Sequence, residues 1–224
     1  MLANPNLQIL GLQAIPRLAK KLDLQLGNFP TYTDLYGTTP EEFRKACGDC
    51  GGILNHLFET FHISWWDIYL NSDVGMVRMA LARDIGLEKG ETVLEIGCGR
   101  GYFTIAAART AKRVTGLDLM DGVGRYGWWS NLEESVTELG LKHKILALRA
   151  DAQTIPLKDR AICKVVAAHS IRNFQSRQAI KNSLREMNRT LSTNGEDNSS
   201  RKPPHRAEQI PRSTPSPLQM QMQV

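Results

Sequence analysis

Short apolar runs alternate with amphipathic runs from residue 91 to residue 192. In chain order the segments read TVLEIG, YFTIAAARTA, RVTGLD, WSNLEESVTELG, KILALRA, CKVVAAH and AIKNSLREMNRTL. Short apolar runs are typical of buried parallel strands, and the longer runs suit helices that cover such strands. The order β-α-β-α-β-(α)-β-α with right-handed crossovers predicts a doubly wound α/β domain, with a parallel sheet between two layers of helices.

Residues 1–90 carry a helical pattern instead. In TTPEEF, Thr39 is the predicted N-cap, Pro40 the first helical residue and Glu42 the partner in a capping box. A further helix is predicted in SWWDIYLNSDVGMVRMALARDIGL, where apolar residues recur at three- and four-residue spacing: Val74, Val77, Met79, Leu81 and Ile85. We expect residues 1–90 to form a helical cap on the α/β domain.

Residues 193–224 lose both patterns. They contain five of the ten prolines in the chain, many Ser and Gln residues and few apolar ones, so burial cannot offset the entropy of ordering. The sequence predicts a disordered tail without a strand, so that the sheet stops at its fourth strand. An unpaired strand edge favours association, and we expect a homo-oligomer that forms through the edge of the fourth strand.

Charge and hydropathy exclude several classes of protein. The net charge is +5, but the lysines and arginines are spread along the chain, so nucleic acid is not indicated as a partner. No window approaches the roughly 18 consecutive apolar residues of a membrane span, and the N-terminus does not resemble a signal peptide. These features predict a cytoplasmic protein whose four cysteines are reduced.

A glycine-rich turn follows the first predicted strand. In EIGCGRGYF the glycines are Gly97, Gly99 and Gly101, and Tyr102 occupies the sixth position, where a dinucleotide fingerprint requires Gly or Ala. Asp118 ends the second predicted strand, where acidic residues accept hydrogen bonds from ribose hydroxyls. The combination predicts a nucleoside ligand without a pyrophosphate. Each feature taken alone has a simpler explanation. The glycines would form only a turn, and Asp118 would be a helix N-cap.

Three segments in order, VLEIGCGRG, Asp118 and ADAQTIPL, resemble motifs of the class I S-adenosylmethionine-dependent methyltransferases, whose fold is Rossmann-like. The resemblance covers about residues 85–195. It implies that Glu95 lies near the ammonium of the cofactor, that Asp118 holds the ribose, and that Asp151 and the Ala152 N–H contact adenine. The full set that the resemblance assigns to the cofactor S-adenosyl-L-methionine is Glu95, Gly97, Cys98, Gly99, Gly101, Asp118, Leu119, Asp151, Ala152 and His169. Alternatively, Asp151 caps its own loop.

The end of the domain is similar to the ubiquinone/menaquinone-biosynthesis C-methyltransferases and their small-molecule relatives. The matching residues are Arg172, Asn173, Glu186, Met187, Arg189 and Leu191. Cys163, His169 and Ser170 depart from that pattern. The resemblance implies an enzyme that methylates a small molecule. His169, at the carboxyl end of the fourth strand, is the candidate catalytic base; its alternative is a polar residue bonded to backbone.

Two further features leave alternatives open. CGDCGGILNHLFETFH offers Cys47, Cys50, His56 and His62 as zinc ligands, but a single C-x-x-C is weak, and a glycine-rich turn between helices is favoured, so no metal is expected. Aromatic residues near position 65 form either core or a lid over the acceptor. The atypical tail leaves a second hypothesis open. In it, the chain is a non-catalytic, truncated methyltransferase remnant that binds cofactor or a partner protein.

Overall fold

The computed structural model of the protein describes residues 5–26, 29, 39–119, 129–168, 170–192 and 220–223. Within them lie seven α-helices: α1 (Pro5–Lys21), α2 (Pro40–Phe61), α3 (Trp65–Asn71), α4 (Asp73–Asp84), α5 (Tyr102–Ala108), α6 (Trp129–Glu138) and α7 (Arg177–Thr190). The strands are β1 (Thr92–Ile96), β2 (Arg113–Asp118), β3 (Ile145–Arg149), β4 (Lys164–Ala168) and β5 (Met220–Gln223). A short 3-10 turn, Ile171–Asn173, precedes α7.

The five strands form one parallel sheet in the order β3-β2-β1-β4-β5. The chain moves outward from β1 to β2 and β3, then returns to place β4 on the other side of β1. Strand order therefore reverses at β1, and in such sheets a crevice opens there at the carboxyl ends of the strands. The predicted doubly wound α/β fold is confirmed, and the glycine turn lies at that end of the sheet.

Alternating residues of β1 point to the two faces of the sheet. Val93 belongs to a core that also contains α1 to α6, whereas Leu94 and Ile96 belong to a second core that includes Met187 of α7. Both cores are built mainly from fully buried aliphatic side chains. The period-two alternation thus covers each face of the sheet with helices.

The N-terminal helices begin as predicted but continue where a turn was expected. Thr39 and Glu42 form the capping box at the start of α2, with the Glu42 N–H donating to Thr39 Oγ1 at 3.3 Å. The interpretation of CGDCGG as a turn between helices is wrong, because α2 runs through residues 47–52. Cys50 and Leu54 are fully buried on one face of α2, and their contact with α1 holds the glycines in helical conformation.

The single helix expected around residue 75 is two helices that meet at Ser72. The Ser72 hydroxyl donates to Tyr69 O at 2.8 Å and accepts from the Gly75 N–H at 3.0 Å, so it ends α3 and caps α4. A Cβ at Gly75 would lie 1.8 Å from Tyr69 O, so only glycine permits this corner. Val77, expected to be on the buried face, is 60% exposed, whereas Leu81 of the same helix is buried.

β5 contradicts the expectation that the tail contains no strand. Met220–Gln223 pair in parallel with Val165–Ala168, so the sheet extends beyond β4 and that edge is covered. The sequence feature that indicates this strand is QMQMQ, in which apolar Met and polar Gln alternate with a period of two. The amino-acid composition of the tail does not reveal this alternation. Residues 193–219 lie outside the described residues. Within the described residues, no helix has the length and apolar character that crossing a membrane requires.

Candidate functional site

The glycine turn connects β1 to α5 and bends over the end of β2. The N–H groups of Gly97 and Cys98 both donate to Leu117 O, at 2.7 and 3.1 Å, and the Gly101 N–H donates to Cys98 O at 2.7 Å. The Cys98 side chain is buried under the turn, and burial raises the pKa of its thiol, so it stays protonated at neutral pH. The turn is therefore fixed by backbone bonds and leaves its outer surface to a ligand.

The three predicted glycines have different surroundings. A Cβ at Gly97 would lie 2.3 Å from Ser170 Cβ, and a Cβ at Gly101 would lie 2.2 Å from Leu132 Cδ1. Gly99 instead has φ +49° and no described atom within 4 Å of the place a Cβ would take. Gly97 and Gly101 therefore allow close packing, whereas Gly99 presents bare backbone to the crevice.

Asp118 lies opposite Gly99. One oxygen of its carboxylate, Oδ2, accepts a hydrogen bond from the Gly99 N–H at 2.8 Å. The described helix that follows, α6, begins only at Trp129, so the structure does not place Asp118 as an N-cap of a described helix. The adjacent Leu119 is 47% exposed at the mouth of the crevice, an apolar surface of the kind that a flat ring covers. The acid and the apolar side chain thus border the open backbone of Gly99.

Asp151 and Ala152 follow β3 at the same end of the sheet. The Asp151 carboxylate accepts from the Gln153 N–H at 2.8 Å and from the Gln153 side-chain amide at 3.2 Å. The alternative interpretation of Asp151, as the cap of its own loop, is therefore borne out by these contacts. Ala152 is buried. Asn182 of α7 donates to Gln153 Oε1 at 3.3 Å, which ties this loop to the helix behind it.

The loop after β3 is held by Glu186 and Arg189. In the sequence these two residues were identified only as parts of a motif. The Arg189 guanidinium donates to Ile155 O at 2.8 Å and to Leu157 O at 2.9 Å. Glu186 accepts from the Ile155 N–H at 2.9 Å, and its hydrogen bond with Arg189 keeps the pKa of Glu186 below its ordinary value. Sequence reasoning missed this role; the signal was two opposite charges at i,i+3 on a helix behind the loop.

Glu95 is a buried acid at the end of β1. Its carboxyl accepts from Thr104 Oγ1 of α5 at 2.5 Å and is 3% exposed. Burial raises the pKa of Glu95 to about 8, while the bond from Thr104 and the nearby charge of Arg78 oppose the rise. Glu95 is therefore largely protonated at neutral pH.

Ser170 locks the loop after β4 onto the glycine turn. Its hydroxyl donates to Ile96 O at 2.6 Å, and its Cβ fills the space beside Gly97. The sequence marked Ser170 only as a departure from related patterns. The candidate base His169, its neighbour, lies outside the described residues.

The aromatic residues near position 65 belong to the packing of the helical cap. Phe58 packs edge-on against Trp65 at 4.9 Å between ring centroids, and Trp66 against Tyr69 at 5.7 Å. The Tyr69 hydroxyl donates to Tyr102 O at 2.5 Å, at the first residue of α5. The cap is thereby attached directly behind the glycine turn.

The C-x-x-C segment is only partly described. Cys50 is buried, and the side chain of Cys47 lies outside the described residues. His56 Nδ1 lies 3.1 Å from Thr60 Oγ1, and His62 ends α2 with φ +53°. Among the side chains that the structure describes, no group of three or more His, Cys, Asp or Glu residues is arranged to hold a metal ion.

Solved structures with a similar arrangement include two methyltransferases. A SAM-dependent methyltransferase from Aquifex aeolicus is 23% identical, covers 51% of this chain and 58% of its own, and has a TM-score of 0.43. Phosphoethanolamine N-methyltransferase from Haemonchus contortus, solved with phosphoethanolamine and S-adenosylhomocysteine, is 20% identical over 51% of this chain and 23% of its own, with a TM-score of 0.43.

Sequence comparison finds similarity to methyltransferases. Residues 93–195 match the family model described as a methyltransferase domain. The demethylmenaquinone methyltransferase of Staphylococcus aureus is 26% identical over 121 residues, which are 53% of this chain and 46% of that protein. The chain spans about half the length of the curated relatives it matches. These comparisons agree with the predicted family, since residues 93–195 match a methyltransferase domain.

Proposed function

We propose that the methyltransferase domain at residues 93–195 binds S-adenosylmethionine in the crevice beside β1 and that the chain methylates a small molecule. The observation that carries the proposal is the pairing of Gly99 with Asp118. Bare backbone lies open to the crevice, and an acid bonded to that backbone borders it. A nucleoside requires this combination, because its ribose lies against the chain while its hydroxyls need acceptors.

The residues present fit the cofactor along its whole length. Asp118 is the acceptor for the ribose hydroxyls, and Leu119 offers exposed apolar surface to the adenine ring. Asp151 and the Ala152 N–H lie on the loop that reads the edge of adenine, held by Arg189. Glu95, buried at the other end of the turn, lies toward the ammonium of the methionine part.

The bound cofactor supplies an activated methyl group on a sulfonium, and the chain supplies alignment and proton removal. In-line displacement forms the bond from acceptor to methyl and breaks the bond from sulfur to methyl, so holding the acceptor close is the main contribution of the protein. His169 is the residue that we assign to take the proton that the acceptor loses, because its neighbours Ala168 and Ser170 lie at the carboxyl end of β4.

The acceptor that we propose is a small molecule, and the first to test is demethylmenaquinone, named for the Staphylococcus aureus relative. With this acceptor, His169→Ala is expected to lower kcat about 10²- to 10⁴-fold. The proposal also places the chain in the cytoplasm, since Cys98 and Cys163 carry thiols and not disulfides.

The second function, a non-catalytic remnant, depended on a sheet that ends at β4. β5 extends the sheet along Val165–Ala168, so that observation no longer supports it. The composition still indicates no nucleic acid as partner.

The test of the proposed function is a calorimetric titration of the chain with S-adenosylhomocysteine and, separately, with NADH. We expect binding of the first only. Asp118→Ala should cost about 1.5–3 kcal/mol of S-adenosylhomocysteine affinity, the usual contribution of hydrogen bonds to a charged group. Asp84→Ala removes an exposed acid of α4 and serves as the control. Binding of NADH without binding of S-adenosylhomocysteine would overturn the proposal.

A further inference from the structure

β3 forms one edge of the described sheet. It lies beyond β2 in the order β3-β2-β1-β4-β5, and no other described strand pairs with its outer side. The opposite edge differs, because β5 covers β4 there. An uncovered strand edge presents a row of N–H and C=O groups, and a further extended segment can pair with that row.

The pairing of β3 with β2 shows which of its backbone groups face outward. Lys144 O accepts a hydrogen bond from β2 at 2.9 Å, and the Ala150 N–H donates one to β2 at 3.0 Å. The even-numbered residues of this segment therefore turn their backbone groups toward β2, and Ala147 and Arg149 turn theirs away. Within the part of the chain that the structure describes, neither the Ala147 N–H nor the Arg149 N–H has a hydrogen-bond acceptor.

Positive charges lie at both ends of this edge. Residues 140–150 read GLKHKILALRA, with two lysines, one arginine and one histidine but no acid. Lys142 and Arg149 are exposed, and Lys144 Nζ donates to the last carbonyl of α5 at 2.8 Å. Among the described side chains, no carboxylate forms a salt bridge with any of these three cations. Their charge is therefore available to an acidic partner.

Leu146 adds an apolar contact in the middle of the same edge. It is 47% exposed although it lies within a strand. Leu148, two residues along and so on the same face of the sheet, packs against the core that includes Met187 of α7. Leu146 thus extends the apolar surface of that core out to the solvent. The edge combines unpaired backbone groups, one exposed apolar side chain and cations at both ends.

We propose that the edge of β3 binds an extended acidic segment of a partner protein, which adds to the sheet as a further strand. Free N–H groups call for a peptide backbone, Leu146 for an apolar side chain, and the cations for acids. A second copy of this chain fits poorly. Antiparallel pairing of two β3 strands would bring Lys144 of one copy beside Arg149 of the other, and like charges across strands are destabilising.

The experiment measures the binding of three fluorescein-labelled hexapeptides to the full chain by fluorescence anisotropy. The first peptide is Glu-Val-Asp-Val-Glu-Val. The second replaces each acid by its amide, and the third is the acidic peptide N-methylated at every residue, so that it has no backbone N–H to donate. Because the protein is the same in all three titrations, the comparison does not depend on how any variant folds.

Variants of the chain test the two contributions of the edge separately. Lys142→Gln with Arg149→Gln removes two cations, and Lys181→Gln with Arg185→Gln removes two from exposed positions of α7 as the matched control. Ala147→Pro removes an outward N–H at an edge position, where proline is tolerated in sheets. Hydrogen exchange of the amides of β3, with and without the acidic peptide, reports strand pairing directly.

We expect wild type to bind the acidic peptide more tightly than the amide peptide and the N-methylated peptide. Lys142→Gln with Arg149→Gln should weaken the acidic peptide about 2- to 30-fold, and Ala147→Pro about 2- to 10-fold. The α7 control should bind like wild type, and the peptide should slow exchange at the Ala147 and Arg149 amides.

Three outcomes would overturn the inference: no binding of the acidic peptide to wild type, equal affinity for all three peptides, or unchanged exchange at Ala147 and Arg149. Self-association of wild type that slows exchange at the same amides would also overturn it, since a second copy would then be the occupant. None of these measurements involves the crevice, so the result is independent of the proposed function.

Discussion

Gly101 and Leu132 are in such close contact that a single methyl group at Gly101 would lie 2.2 Å from Leu132 Cδ1. Leu132 is fully buried and belongs to α6, whereas Gly101 ends the turn before α5. The absence of a side chain at Gly101 therefore lets α6 lie directly against the turn. Gly99, two residues earlier, meets no such neighbour.

This contrast predicts that alanine at Gly99 mainly lowers ligand affinity, whereas alanine at Gly101 mainly lowers stability. Gly99→Ala should lower S-adenosylhomocysteine affinity at least tenfold, because the methyl group enters the crevice, and should cost only the strain of a positive φ, about 1–2 kcal/mol. Gly101→Ala should lower stability more, because overpacking against Leu132 adds about 1–3 kcal/mol. Urea unfolding and calorimetric titration of each variant measure the two effects.

Gly86→Ala is the matched control for this pair, since Gly86 has φ +63° and no described atom within 4 Å of the added carbon. Gly86→Ala should lower stability by the strain of a positive φ and should leave S-adenosylhomocysteine affinity unchanged. The cost of Gly101→Ala should shrink in a Leu132→Ala background, where the clash is absent. An undiminished cost there would contradict the packing explanation.

The buried acid predicts how stability depends on pH. The pKa of Glu95 is about 8 in the folded chain and close to its ordinary 4.5 when unfolded, so the folded state holds the extra proton between these values. Its contribution to stability is full below about pH 4.5 and is lost as the pH rises to about 8. The slope is at most about 1.4 kcal/mol per pH unit.

Glu95→Gln should remove this part of the slope, because the amide does not titrate. Urea unfolding of wild type and Glu95→Gln at pH 5, 6.5 and 8 measures the difference. The variant should gain stability relative to wild type as the pH increases. Parallel pH profiles would show that Glu95 is not the titrating group.

Arg189→Ala should loosen the loop after β3 without unfolding the domain. Its guanidinium holds Ile155 O and Leu157 O, so its loss frees two carbonyls of the segment that follows Asp151. We expect faster hydrogen exchange across residues 151–160 and a several-fold loss of S-adenosylhomocysteine affinity. Arg185→Ala, an exposed arginine of the same helix, should leave both unchanged. Unaltered exchange in the Arg189 variant would argue against a positioning role.

Removal of β5 should expose the edge of β4. A variant in which Met220–Gln223 become Gly-Ser-Gly-Ser keeps the chain length but loses strand propensity, and deletion of residues 220–224 removes the strand outright. Both should self-associate more in sedimentation velocity, and the amides of Val165–Ala168 should exchange faster. If both variants sediment and exchange like wild type, β5 does not protect this edge.

Local pattern was sufficient to predict much of this protein. Alternating apolar runs gave the parallel sheet and its two helical layers, because buried strands and amphipathic helices have different periods. The capping box at Thr39 and Glu42 was predicted for the same reason, since both partners lie within one helical turn. Gly97, Gly99, Gly101 and Asp118 could be located because the turn and the strand end are each short segments with a fixed chemistry.

Contacts between distant residues were decided by tertiary structure alone. Ser170 packs against Gly97 and Leu132 packs against Gly101. Nothing in the sequence distinguishes those two glycines from Gly99. The helix through CGDCGG persists because α1 packs on it, and β5 forms because β4 offers an unpaired edge. The ionisation of Glu95 likewise follows from the burial that α5 imposes. Local periodicity carries no information about such neighbours, because their free energies arise only once separate elements have packed together.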